Sequence, residues 1–332
     1  MTQSMVVPAS LAGTRLDAVL AQLMPEHSRS RLKAWLDEGL IEVDGEVLAG
    51  KTKLEGGETL VAKLPEAQRE TEAQAEDIPI DIIFEDDHLM VINKPPGLVV
   101  HPGAGNRDGT LLNALLHHAP QMANVARAGI VHRLDKDTSG VMMAAKTPQA
   151  QTHLVRQLQS HSASREYVAL VHGEVKRPGT VEGAIARHGK DRTKMALVVV
   201  GGKPAVTHYK PREQFGGPAL LGRHYTLLEC KLETGRTHQI RVHMASILRP
   251  LVGDPTYGKR GDTLFDRQAL HAWRLTVEHP FTHKPMRFVA PMARDMKFLL
   301  KNLRAERDNV IVDDEDDDDF DEDGIESIYV RD

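Results

Sequence analysis

The chain has 332 residues, 41% of them hydrophobic, one cysteine and a formal net charge of −5. That length can bury one sizeable core and a second, smaller one, and the lone Cys230 excludes an internal disulfide framework and fits a reducing compartment. The N-terminus lacks a basic start followed by an apolar stretch, and no run approaches the roughly 18 apolar residues of a membrane span, so a cytoplasmic protein that does not cross a membrane is expected.

In "RLDAVLAQLM", Leu16, Val19, Leu20 and Leu23 recur at helical spacing. "SRSRLKAWLDEGLIEVDGEVL" predicts a second helix capped by Ser28 and stopped at Gly39, then a strand turning at Asp44-Gly45. Arg29 and Lys33 share a face of that helix, while Leu32, Trp35 and Leu36 can pack inward. Three basic residues on an exposed helix ordinarily mean no more than a solvated face. The whole pattern, a Ser-Arg helix, a Gly-Leu-Ile stop and a "VDG" turn over residues 13–60, resembles the S4-type RNA-binding module, in which that helix contacts structured RNA. The segment is not net basic, so RNA binding here would depend on local placement of Arg15, Arg29, Arg31 and Lys33 against phosphates.

Residues 65–79 include the polar, acidic stretch "PEAQRETEAQAED", which has no apolar period and reads as a linker between domains at 1–64 and 80–305. Beyond it the chain is strand-rich. "IDIIFEDDHLMVINKPPGLVVHP" predicts two strands around an acidic turn, and "REYVALVHGEV", "PAVTHY", "HYTLLECKLE" and "MRFVAP" add more. Helices are expected at "GTLLNALLHH" and "TPQAQTHLVRQLQ". Without regular βαβ alternation or an internal repeat, an α+β fold with a largely antiparallel, mixed central sheet fits best.

"GIVHRLDKDTSG", Gly129 to Gly140, gathers Asp135 and Asp137 among His132, Arg133 and Lys136. Turn stabilisation accounts for Asp137, in good Asp-x-Thr-Ser-Gly turn chemistry, better than for Asp135. A carboxylate held among cations can serve as nucleophile or general base, and a structural ion pair would look the same from residue type alone. Metal chemistry is not expected: the histidines of "HQIRVH" are five apart and Cys230 has no thiol partner. "HPGAGNRDGT" lacks the Gly-Lys-Ser/Thr ending of a phosphate cradle, and no strand–GxGxxG–helix occurs, so no nucleotide cofactor is implied.

The last twenty residues carry twelve acids and one arginine, a net of −11, which leaves +6 on residues 1–312. The body is therefore mildly basic, as a nucleic-acid partner would require. Residues 306–332 read as a disordered acidic tail.

Five motifs in order, "VINKPPGLVVHPG", "GIVHRLDKDTSG", "SREYVALVHG", "LETGRTHQIRVHMA" and "PLVGDPTYG", resemble the RluA-type family of pseudouridine synthases over about residues 80–300. The resemblance implies that fold and an isomerisation of uridine within RNA: the N1–C1′ bond breaks, the uracil turns and C5 joins C1′, without cofactor. It implies that Asp135 is the catalytic carboxylate, acting at C1′, at uracil C6 or on the C2′ proton. By motif position Tyr167 would stack on the flipped uracil, Arg241 would pair with the aspartate, and Arg133 would help hold the RNA; His132 is expected to be structural. The members most similar in pattern act on large-subunit (23S) ribosomal RNA, in the helix 69 hairpin loop, so that RNA or a pre-50S particle is the implied partner of a monomeric enzyme. A ribonucleoside hydrolase using Asp135, or a non-catalytic assembly factor relying on the S4-like part, remain the alternatives.

Overall fold

The computed structural model describes residues 2–25, 27, 29–63, 73–103, 105–216 and 222–308. The Ser28 cap, the Arg31 side chain, residues 65–72 of the acidic linker and residues 309–332 of the acidic tail lie outside the described residues.

The N-terminal module is a three-stranded antiparallel sheet, β1 (Thr2–Val6), β3 (Thr59–Lys63) and β2 (Ile41–Val43) in that order, with helices α1 (Leu16–Leu23) and α2 (Arg29–Asp37). Both helices turn apolar positions inward: Leu16, Val19, Leu20, Leu32 and Leu36 join Ile41 and Leu60 in a core of their own. Gly39 (φ 72°) takes the left-handed conformation just past α2, which ends the helix where the sequence places a stop. The turn expected at Asp44-Gly45 closes only in an isolated bridge, Val43 with Glu46, and β2 pairs instead with the central strand β3; β1 and β3 are additions to what the sequence predicts.

The larger module is one ten-stranded sheet. The strands are β4 (Asp81–Glu85), β5 (Leu89–Lys94), β6 (Ser139–Ala145), β7 (Ser164–His172), β8 (Gly179–Arg187), β9 (Met195–Val198), β10 (Lys203–Gly216), β11 (His224–Leu232), β12 (Leu270–Glu278) and β13 (Pro285–Val289). Their order is β4-β5-β6-β12-β7-β11-β10-β8-β9, with β13 on β12. Every pairing is antiparallel except β6 with β12, which run parallel at His271↔Ser139 and Ala272↔Gly140. The fold is thus α+β with a largely antiparallel mixed sheet.

The sheet is covered on both faces, as the alternation along β7 shows. Tyr167, Ala169 and Val171 enter one core, while Val168 and Leu170 enter the other. Helices α3 (Leu111–His118) and α4 (Pro148–Gln159) contribute Leu111, Leu112, Leu115 and Leu154 to the first. The second is closed by α6 (Arg294–Asp308), whose Met296, Leu299, Leu300 and Leu303 recur at helical spacing; each such side chain contributes about 1.5–3 kcal/mol on full burial. The helix runs past residue 305, where sequence reading ends the domain. Residues beyond 72 are also less detached than a free linker: Gln74 O accepts from Asn113 Nδ2 at 2.7 Å, and the Glu76 carboxylate receives the Gly109 N–H at 3.0 Å. Among the described residues no helix is long and apolar enough to cross a membrane.

Candidate active site

The segment Gly129–Gly140 is fixed at both ends by its glycines. Gly129 (φ 72°) and Gly140 (φ 112°) adopt backbone conformations that L side chains rarely take, and a Cβ would lie 1.8 Å from Ala145 O at the first and 2.1 Å from Ala272 O at the second. Between them the chain makes an isolated bridge, Ile130 with Ala144, and then a loop that enters β6. At its apolar start the motif pairs through that single bridge.

The loop is held mostly through its carbonyls. Lys94, 0% exposed, donates to Pro95 O, Leu98 O and Lys136 O at 2.7–2.9 Å. Burial pushes its pKa down to about 7, with Asp137 pulling the other way; three acceptors match the three N–H bonds of the ammonium, so the charged form suits the site. Arg267 donates Nη1 to Asp137 O at 2.9 Å and is clamped by both oxygens of Asp295. His132 Nε2 accepts the Met143 N–H at 3.1 Å, and burial pushes its pKa down to about 3, so it is a neutral fixture of the loop.

Asp135 is the carboxylate this framework presents to the cleft, its side chain 18% exposed. Arg241, on α5 (Gln239–Ser246), donates Nη1 to Asp135 Oδ2 at 3.0 Å. The rest of the guanidinium is taken by Asp254: Nε to Oδ2 at 2.7 Å and Nη2 to Oδ1 at 2.9 Å. Asp254 is itself fixed by the backbone N–H groups of Thr256 and Tyr257. Burial opposes the Arg241 charge, but Asp254 and then Asp135 outweigh it and raise its pKa; burial likewise opposes ionisation of Asp254, and Arg241 overcomes it, holding that carboxyl below its usual range. The arginine is therefore permanently charged and oriented, which suits it to face a carboxylate of fixed geometry.

Tyr167 lines the same cleft from β7, with Arg133, Arg236, His238 and Arg241. It is 7% exposed, and burial raises its pKa, Arg165 opposing and Asp135 reinforcing the shift. It stays a phenol, able to stack and to donate a proton, rather than a phenolate. Arg133 is exposed at the cleft.

The structure thus brings Asp135, Arg133, Tyr167 and Arg241 together. It places Arg15, Arg29 and Lys33 on a different surface, a concavity of about 490 Å³ on the N-terminal module that also includes Lys51. That hollow is larger than the Asp135 cleft, but its carboxylates are already engaged: Asp17 takes both Nε and Nη2 of Arg15, and Asp37 pairs with Lys33 at 2.5 Å. It has the character of a charged contact surface. Sequence reading gave no role to Asp254, His238, Tyr257 or Lys94, although all four lie in the quoted motifs; the signal available was their place beside Gly, Pro and Arg in "GDPTYG", "GRTHQIR" and "NKPPG".

One group of metal-ligand type comes together among the described residues, His153, Glu278 and His283, and none of the three lines the cleft. Gln157 is oriented by two bonds to the Glu278 backbone and turns its amide nitrogen to His153 Nδ1 at 3.0 Å. The His153 proton then sits on Nε2, facing Glu278, which suits a hydrogen bond and leaves no lone pair there for a metal.

Residues 88–246 match the family model described as RNA pseudouridylate synthase, and residues 14–60 match the S4 domain model. A protein of Nitrosomonas europaea named ribosomal large subunit pseudouridine synthase D is 50% identical over 311 residues, covering 91% of this chain and 88% of that one. Its namesake from Xanthomonas campestris is 52% identical, covering 91% and 92%. Among solved structures, human RNA pseudouridylate synthase domain containing 4 superposes with a TM-score of 0.51 at 25% identity, covering 68% of this chain and 93% of its own. Identity of this extent, joined to the fold and the S4 module, shows that the chain belongs to the pseudouridine synthase family and is an RNA pseudouridine synthase.

Proposed function

We propose that this enzyme isomerises uridines of large-subunit ribosomal RNA, in the helix 69 hairpin loop, with Asp135 as the carboxylate that acts on the target nucleotide. The observation that carries the reading is the placement of Asp135 in a cleft with one oxygen on a buried, doubly anchored arginine and a buried tyrosine alongside. Relatives about half identical to this chain are named for the large ribosomal subunit, which supports the substrate. Such a substrate puts the enzyme, acting as a monomer, in the cytoplasm.

A stacked or paired uridine hides its glycosidic bond, so the base must be flipped to reach Asp135. Arg133, exposed at the cleft, can hold the displaced strand through phosphate, and the Tyr167 ring offers the flipped uracil an apolar face. The reaction then balances within the substrate and solvent: N1–C1′ breaks, C5–C1′ forms, the C5 proton leaves and N1 gains one. Arg241 steadies the carboxylate throughout, and exclusion of water keeps cleavage from ending in hydrolysis.

The test is to map pseudouridines in ribosomal RNA from cells with and without the enzyme, and with Asp135→Asn. The expected result is loss of the modification in the helix 69 loop in both defective cases, with RNA affinity of the variant within a few-fold of the parent. Modification retained by Asp135→Asn, or free uracil as product in vitro, overturns the reading.

A further inference from the structure

His238 sits immediately before α5 in the left-handed backbone region (φ 56°, ψ 22°). That conformation is uncommon for a residue with a side chain and is kept where the surroundings over-determine it. Its ring lies between two groups. Nδ1 is 2.8 Å from Tyr257 Oη, and Nε2 is 3.8 Å from Asp135 Oδ1, the oxygen that Arg241 leaves uncovered.

The proton on this ring can be placed. Tyr257 Oη accepts the Met195 N–H at 2.7 Å, and among the described residues His238 Nδ1 is the acceptor recorded for the phenolic proton. With Tyr257 Oη already accepting one N–H, the arrangement that also uses its proton has the O–H donating to Nδ1, which keeps its lone pair and leaves the ring proton on Nε2. Burial lowers the imidazole pKa, with Asp135 opposing and Arg241 assisting, so the neutral ring prevails near pH 7. A directed chain results: Met195 N–H to Tyr257, Tyr257 O–H to His238, His238 Nε2–H toward Asp135.

We propose that His238 is a positioning residue for Asp135, locked by Tyr257 in the tautomer that turns an N–H toward Oδ1 while Arg241 holds Oδ2. The assignment rests on Asp135 being the acting carboxylate. At 3.8 Å the N–H acts as an oriented dipole rather than a formed hydrogen bond, and such contacts tighten once substrate is bound. Asp254 already holds Nε and Nη2 of Arg241, so only Nη1 is left for Oδ2, and the His238 N–H biases Oδ1 toward its own side of the cleft. The charged and titratable groups around the ring are Asp135 and Arg133 from the catalytic loop, Arg241 from α5, and Asp254 and Tyr257 from the segment after Val252.

Two measurements test this. In ¹⁵N-histidine-labelled protein, with His238→Gln used for assignment, the His238 resonances are expected to show a protonated Nε2 and an unprotonated Nδ1; the opposite pattern overturns the proposal whatever the activity. In single-turnover assays on folded protein, His238→Ala is expected to lower the rate by about 10–100-fold with RNA affinity unchanged, and His238→Gln, which keeps an amide N–H near Nε2, to recover much of it. Tyr257→Phe frees the tautomer, so its deficit relative to the parent should shrink as pH falls and the ring gains both protons. A pH-independent deficit, or a normal rate in His238→Ala while Asp135→Asn is dead, overturns the positioning role and leaves Asp135 in place. An active Asp135→Asn instead removes the reading on which the role depends.

Discussion

Arg241 gives two of its guanidinium nitrogens to Asp254 and only Nη1 to Asp135, which lies 106 residues earlier in the chain. Asp254 has a fully buried side chain and Arg241 one 6% exposed, so removing the acid leaves a cation with no counter-charge other than Asp135. Asp254→Asn is expected to cost about 3 kcal/mol of stability, and to lower turnover at least about tenfold as Arg241 shifts toward Asp135. Denaturant unfolding and single-turnover rates check both; an unchanged rate would make Asp254 purely structural.

Tyr167→Phe keeps the ring and removes the hydroxyl. Because burial keeps that hydroxyl protonated, its loss should slow turnover by about tenfold while RNA affinity stays within about threefold. Parent-like rates would confine Tyr167 to packing and stacking.

The two modules have separate cores, so removal of residues 1–72 should leave the larger one folded, with weaker RNA binding and a shallower salt dependence. Removal of 1–79 also deletes the Gln74 and Glu76 contacts to Asn113 and Gly109 and should lower the melting temperature further. Identical melting of the two truncated forms would show those contacts to be idle.

Four histidines, His243 and His271 fully buried and His101 and His132 partly so, set the acid side of stability. Burial pushes His132 to about 3 and His101, His243 and His271 to about 4, all below the 6.5 of an unperturbed imidazole. The unfolded chain therefore takes up protons first. Above about pH 6.5 these groups add no pH dependence, and as pH falls toward 4 each can remove up to about 1.4 kcal/mol per pH unit. Urea midpoints between about pH 7.5 and 4.5 should decline over that window; a flat curve would mean that water reaches these rings.

The glycine-bounded loop that carries Asp135 was legible in its own neighbours, two glycines, His132 and the turn at Asp137, whereas a chemical role for that carboxylate came only from the family resemblance. Asp254, Tyr257 and His238 were not legible, since their roles exist only where distant segments meet at the cleft. The same limit applies to elements. β4 and β5, α3 and α4 announce themselves through turns and apolar period, whereas α5 is eight residues long and buried from Gln239 to Met244, so no polar face marks it as a helix. β12 is nearly continuous in its burial, and β8 and β9 are mostly half-exposed strands at the sheet's far edge, with little clean alternation in any of them.

The parallel pairing of β6 with β12 also has a temporal meaning. Ser139 and His271, bonded at 3.0 Å, are 132 residues apart, so a chain leaving the ribosome exposes β6 long before its central neighbour has been made. Arg241 and Asp254 likewise emerge more than a hundred residues after Asp135. The S4 module, complete by residue 63, can fold and meet RNA early in synthesis, whereas the cleft stays incomplete until residues as late as Leu270 have emerged. The order of synthesis thus gives the nascent chain its RNA-binding module well before its cleft.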